Sequence, residues 1–165
     1  MLASVSIEEG HPSEAEALAR KALEELGAAK IFESQISAHA ILAQALLAQG
    51  KLNPARNQIA TGAPLAAKTQ QSVLRLQFQI AAAEVLAASG KPGDFQAATA
   101  SLNAAIAEAG KRGIRAPLYE ARLALGKAEM KHGNKENGRA RLAEVEKDAG
   151  ASGFVLIRNK AATAL

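Results

Sequence analysis

Residues 42–55 read Leu42-Ala43-Gln44-Ala45-Leu46-Leu47-Ala48-Gln49-Gly50-Lys51-Leu52-Asn53-Pro54-Ala55. The stretch closes one Ala/Leu-rich helix, turns at Gly50 and opens a second helix with the start residues Asn53 and Pro54. Upstream, Phe32, Ile36, His39, Leu42, Ala43 and Leu46 recur at the spacing of a single helical face. Two helices joined by a tight turn form a helical hairpin.

The hairpin recurs. Gly10, Gly50, Gly90 and Gly133 each end an Ala/Leu-rich helix and precede a capped one, with spacings of 40, 40 and 43 residues. Self-similarity at that period marks a solenoid. Five places after the glycine stands Ala15, Ala55 or Gly138, and twelve places after it Ala22, Gly62 or Val145. The third unit matches when counted from Gly93, giving Ala98 and Ala105, so Lys91-Pro92-Gly93 reads as a three-residue loop insertion. The preceding helices carry Leu2-Ala3, Leu42-Ala43, Ala82-Ala83 and Leu125-Gly126 at equal distance before their glycines. Small side chains at these points let neighbouring helix axes approach.

On these residues the chain resembles the tetratricopeptide repeat family, with Leu-Gly in the first helix, Gly at the turn and two Ala in the second. The resemblance covers essentially the whole chain and implies an all-α, right-handed superhelix of stacked hairpins, a single repeat domain over residues 1–165. The family's large aromatic falls on His39, Gln79 and Arg122, its Tyr falls on Leu46, Leu86 and Glu129, and the period exceeds the consensus of about 34. Other helical-pair solenoids with a period near 40 stay open as alternatives. Helices are expected at about 2–9, 13–27, 32–49, 54–62, 68–89, 95–110, 117–132, 136–149 and 153–164. Ser13 with Glu16 reads as a capping box, Asn53, Asp94 and Asn134 as starts, and Gly27, Gly62 with Pro64, Gly110 with Gly113, and Gly150 with Gly153 as stops. Leu2 and Ala3 already match the middle of a first helix, which predicts a truncated first hairpin. Its second helix would expose the apolar side of Ala15–Leu26, and a shortened piece or a preceding N-terminal region is expected. Residues 153–164 are expected to form a capping helix.

Composition narrows the chemistry. The 165 residues hold 40 Ala and 19 Leu, 3% aromatics and no cysteine, which excludes disulfides and cysteine-ligated metal and argues against a base-stacking surface. The formal charge of +4 is modest, although residues 1–110 sum to −2 and residues 111–165 to +6. A mild excess lying one helical turn from acids is no nucleic-acid footprint, so no nucleic acid is expected as partner. No apolar run is long enough to span a bilayer and no secretion signal opens the chain, so a cytoplasmic protein without membrane insertion is expected. His11 and His132 sit at turns and His39 on an apolar stripe, none at ligand spacing, so neither metal nor cofactor is expected and His39 reads as a packed core imidazole with one satisfied nitrogen. Gly62-Ala63-Pro64-Leu65-Ala66-Ala67-Lys68-Thr69 imitates a phosphate loop, but Ala67 replaces the second glycine and Pro64 removes an amide. No nucleophile elbow or poised carboxylate pair appears, and an enzyme is not expected.

What remains is a surface. The resemblance implies that the first helix of each pair lines the concave side, where the matching residues are Ser37, Ala40, Gln44 and Leu47, then Gln77, Ile80, Glu84 and Ala87, then Glu120, Leu123, Lys127 and Met130. A clamp for a peptide's terminal carboxylate would need basic or amide residues at Ala40, Gln44, Ala81, Glu120 and Ala124, and only Gln44 qualifies. The expected function is therefore protein–protein interaction. Ile80, Leu123 and Met130 would anchor a partner's peptide or helix, while Gln44, Gln77, Glu84 and Lys127 set its register and Leu47 and Glu120 complete the face. The plainer alternative packs Leu47, Ile80, Leu123 and Met130 within the array. Two other roles stay open: a regulatory or sensory segment of a larger bacterial kinase or transcription regulator, and self-association through the uncovered N-terminal hairpin.

Overall fold

A computed structural model describes residues 2–165. Among the described residues it contains α1 (Leu2–Glu8), α2 (Pro12–Ala28), α3 (Phe32–Ala48), α4 (Leu52–Lys68), α5 (Ser72–Ala87), α6 (Pro92–Arg112), α7 (Arg115–Lys131), α8 (Lys135–Ala151) and α9 (Val155–Thr163), with no strand. The four glycines that carry the period share one backbone state: Gly10, Gly50, Gly90 and Gly133 have φ of 79°, 73°, 74° and 91°. That left-handed conformation is strained for residues with a Cβ and ends the first helix of each hairpin. At Gly50 the reversal is closed by the Gly50 amide donating to Leu47 O and the Lys51 amide donating to Leu46 O, each at 2.9 Å.

Several boundaries differ from those expected. Gly62 does not end α4, which continues to Lys68 with Pro64 inside it. Pro64 is exposed, so the hydrogen bond it removes falls on the solvent side. The phosphate-loop look-alike is thereby mostly helix. Gly27, Gly110 and Gly150 also lie within helices, and the left-handed residues beyond the last two are Gly113 and Gly153. Beyond Gly27 that role falls to Lys30, with φ 55°.

Lys91-Pro92-Gly93 is not a loop: Pro92 and Gly93 belong to α6, a helix of 21 residues where α2, α4 and α8 have 17. Buried Ala98, Leu102, Ala105 and Ala109 keep the register counted from Gly93, so the insertion is absorbed as about one extra N-terminal turn. Proline's fixed φ and missing N–H suit a first helical turn. The expected capping box is absent as well. Pro12 starts α2 early, so Ser13 is already helical, and no side-chain cap bond forms there.

The chain resolves into two compact units, Met1–Ser89 and Gly90–Leu165. In the first, α2 packs on α1 and α3, α4 packs on α3 and α5, and the first helices α3 and α5 lie against each other. Its core joins Leu42, Ala43, Leu46, Ala55 and Val85 in one cluster and Ile36, Ala40, Ala66, Phe78 and Ala81 in another. In the second unit α7 packs on α6 and α8, and α9 covers α8 while touching α7. There the core gathers Tyr119, Leu123, Leu142, Val145, Ala149, Ile157 and Ala161.

Small residues set the helix spacing in both. A Cβ at Gly62 would stand 2.5 Å from Phe78 Cε2 and 2.9 Å from His39 Cβ. One at Gly138 would stand 2.8 Å from Met130 Cγ and 2.9 Å from both Gly126 O and Met130 N. Neither distance admits a methyl group without displacement of a neighbour.

Candidate functional site

In the first unit, α3 and α5 present Gln44, Leu47, Gln77, Ile80 and Glu84. Gln44 Nε2 donates to Glu84 Oε2 at 2.8 Å, bridging the two first helices. Gln77 is exposed and Leu47 half-buried, whereas Ile80 is only 3% exposed. In the second unit, α7 presents exposed Lys127 with half-buried Glu120 and Met130, while Leu123 is 6% exposed within the core cluster. Met130 lies against Gly138 and that same cluster. Leu123 thus packs within the core of its unit, and Ile80 is buried on α5, which lies against α3 and α4. Polar residues hold most of the accessible part of both faces.

The polar groups between helices were less visible in the sequence. Arg141 grips Glu129 with two bonds, Nε to Oε2 at 2.9 Å and Nη2 to Oε1 at 3.2 Å, and Glu129 is itself buried. Arg122 spans to α8 through Asp148 at 2.9 Å and Glu144 at 3.0 Å. Tyr119 Oη lies 2.8 Å from Ser152 Oγ. In the first unit His39 Nδ1 lies 3.0 Å from Gln58 Oε1, the satisfied core imidazole the sequence suggested. The one signal for the ionic pairs was positional: Arg122 and Glu129 occupy places where the resembled family carries aromatics, so a polar group there requires a partner on the facing helix.

Glu16 organises a third polar node. Its carboxylate accepts from Lys51 Nζ at 2.8 Å, from Arg20 Nη2 at 2.8 Å and from Gln49 Nε2 at 2.8 Å. Lys51 foremost, then Arg20 and Gln49, hold the Glu16 carboxyl down from the ordinary 4.5 to about 2. Gln49 Nε2 also donates to Pro12 O at 3.1 Å, tying α2 to the end of α3.

An open groove of about 560 Å³ lies over α2 and α3, lined by Leu18, Ala22 and Leu26 on one wall and Ser37, Ala38 and Ile41 on the other. The sequence expected the side of α2 from Ala15 to Leu26 to be uncovered. Ala15 and Ala19 are buried, whereas Leu18, Ala22, Leu23 and Leu26 are half-buried.

Among the described residues no three His, Cys, Asp or Glu side chains are grouped so as to hold a metal ion, and no helix is long and apolar enough to cross a membrane. No protein-family model matches the sequence, and no curated protein matches it. A solved structure does. The nearly identical TPR-like repeats of a Podosopora anserina kinesin light chain superpose with a TM-score of 0.61 at 22% identity, over 93% of this chain and 74% of that one. At that identity the likeness speaks for the fold. Recurrent left-handed turns, small residues at the helix crossings and this superposition together establish that the chain has a tetratricopeptide-like repeat fold of helical hairpins.

Proposed function

We propose that this protein is a non-enzymatic interaction module that binds a peptide or helix of a partner protein in the cytoplasm, along the faces of its first helices. The observation that carries the reading is the Gln44–Glu84 bridge between α3 and α5, beside exposed Gln77 and half-buried Leu47. It fixes two neighbouring first helices so that their outward side chains are held before a partner arrives, and a preorganised face loses less entropy on binding.

Ile80 lies beneath the face of the first unit and Leu123 beneath that of the second. Leu47 and Met130 are the apolar residues with surface to give, and Gln77, Glu84, Glu120 and Lys127 provide polar registration. The test is a peptide array of helical and extended sequences, followed by titration of the peptides it retains. Gln77→Ala and Lys127→Glu are both at exposed positions and should leave folding intact. Gln77→Ala is expected to weaken peptides held on the face of the first unit, and Lys127→Glu those held on the face of the second, by about fivefold to thirtyfold, the range of about 1–2 kcal/mol for a substantial interface residue. Unchanged affinity in both would overturn the assignment of these faces.

A further inference from the structure

Of the six asparagines only Asn137 precedes a glycine. In a free chain such a pair modifies itself, because no Cβ on the glycine hinders its backbone nitrogen from attacking the asparagine side chain. The Gly138 nitrogen bonds to Asn137 Cγ and gives up its proton to the side-chain amide, which leaves as ammonia. Water then opens the resulting succinimide ring at one of its two carbonyls, its hydroxyl going to carbon and its proton to nitrogen. Cleavage of the bond from Cγ to nitrogen restores the ordinary main chain with an aspartate side chain. Cleavage at the main-chain carbonyl leaves an isoaspartyl link, in which the main chain runs through Cβ and Cγ and is one methylene longer.

The fold closes this route at its first step. Asn137 is exposed as the third residue of α8, but Gly138 beside it is buried. The Gly138 amide donates to Asn134 O at 3.0 Å, so the attacking nitrogen is engaged along the helix axis. A Cβ on Gly138 would stand 2.9 Å from both Gly126 O and Met130 N, so main chain of α7 lies directly against this glycine. It cannot turn toward Asn137 unless the two helices part. The residue that permits the close crossing is the same one that makes Asn137 reactive.

We propose that Asn137-Gly138 is a self-modification site held shut by α7, inert in the folded hairpin and converted to aspartyl and isoaspartyl products when α8 separates from it. The two products have opposite consequences. An aspartate side chain at this exposed place in the first turn of α8 is favoured by the helix amides, so that product refolds. The isoaspartyl link lengthens the main chain just ahead of Gly138 and throws Gly138, Leu142, Val145 and Ala149, the residues α8 buries, out of register with Asn134 and the turn. It also draws Arg141 from Glu129 and Asp148 from Arg122. Opening of the hairpin is thereby made irreversible in the molecules that take this branch.

Incubation of the whole chain at mildly alkaline pH, folded or in urea, followed by peptide mapping that separates the two isomers, tests this. Deamidation at Asn137 is expected to be about a hundredfold or more slower in the folded chain. Arg141→Ala removes a bond across the crossing and should accelerate it about tenfold or more without urea. Should that variant fail to fold, low urea raises the opened fraction of the unaltered chain and should accelerate it likewise. Asn137→Gln should abolish the fast products, which assigns them to this position. Asn137→Asp should keep the helicity and melting temperature of the unaltered chain, whereas the purified isoaspartyl form should lose helicity. A folded chain modified as fast as the chain in urea, no acceleration when the hairpin is weakened, or an isoaspartyl form that melts like Asn137→Asp would each overturn the proposal. None of these results bears on Gln77 or Lys127, so failure here leaves the peptide-binding reading intact.

Discussion

The hairpins α3–α4 and α7–α8 occupy the same repeat register but achieve close packing by different chemistry. In α3–α4 the tight point lies twelve residues after the turn, where Gly62 receives the Phe78 ring and the His39 Cβ. In α7–α8 it lies five residues after the turn, where Gly138 meets backbone atoms of Gly126 and Met130. The first crossing is limited by side chains and the second by main chain. Around them the polar content differs as well, since His39 needs only Gln58 whereas Glu129 and Arg122 require Arg141, Asp148 and Glu144. One repeat register thus accommodates an aromatic crossing and an ionic one, provided a residue without a side chain stands at one of the two approach points.

The sharpest way to break the comparison is to add one methyl group to each crossing. Gly138→Ala is expected to lose about 3 kcal/mol, because its nearest neighbours include backbone that cannot rotate away. Gly62→Ala should lose about 2 kcal/mol and regain much of it when combined with Phe78→Leu. Thermal or urea unfolding reads both. Equal losses with no rescue would remove the distinction between side-chain and main-chain limits.

The polar bridges come next. Arg141→Ala leaves the buried Glu129 carboxylate without its bidentate partner and should cost about 2–3 kcal/mol, while Gln58→Ala beside His39 should cost about 1 kcal/mol. A double-mutant cycle with Glu129→Gln isolates the ionic share, and a coupling near zero would place Arg141 among ordinary surface residues.

Glu16 tests the first unit by pH. Its carboxyl is held below its ordinary value in the folded chain, so its contribution is complete above pH 4.5 and fades as pH falls toward about 2. Glu16→Gln should therefore lower stability by about 1 kcal/mol near neutrality and by progressively less on acidification through that window. A deficit unchanged at low pH would mean that packing, not charge, accounts for it. The smallest expected effect is a gain. Lys30, left-handed at φ 55°, stands where other turns carry glycine, so Lys30→Gly should raise stability by about 0.5–1 kcal/mol in the same unfolding measurement.

Much of the fold was legible because its signals are local. The positive φ at Gly10, Gly50, Gly90 and Gly133 follows from chain geometry that only glycine meets at little cost, so their spacing displays the repeat. Ala15, Ala55, Ala98 and Gly138 all prove to be buried, as their common distance from the turns implied. The helix ends were less legible. Gly62 and Pro64 have the local character of a stop, yet packing on Phe78 and solvent beside Pro64 let α4 continue. The candidate faces were legible only as helix positions. Gln77 and Lys127 emerged exposed, while Ile80 and Leu123 are buried.

By itself the sequence determined the helical class, the period, the turn glycines and the small residues that permit close approach, since each depends on backbone preference or side-chain size within a few residues. Only the tertiary structure decided which residues on a first helix stay accessible, which acid meets which base, and which stretch of α2 remains uncovered. Those outcomes arise where helices distant in sequence meet, and helical periodicity gives the direction of a side chain without stating what will be packed against it.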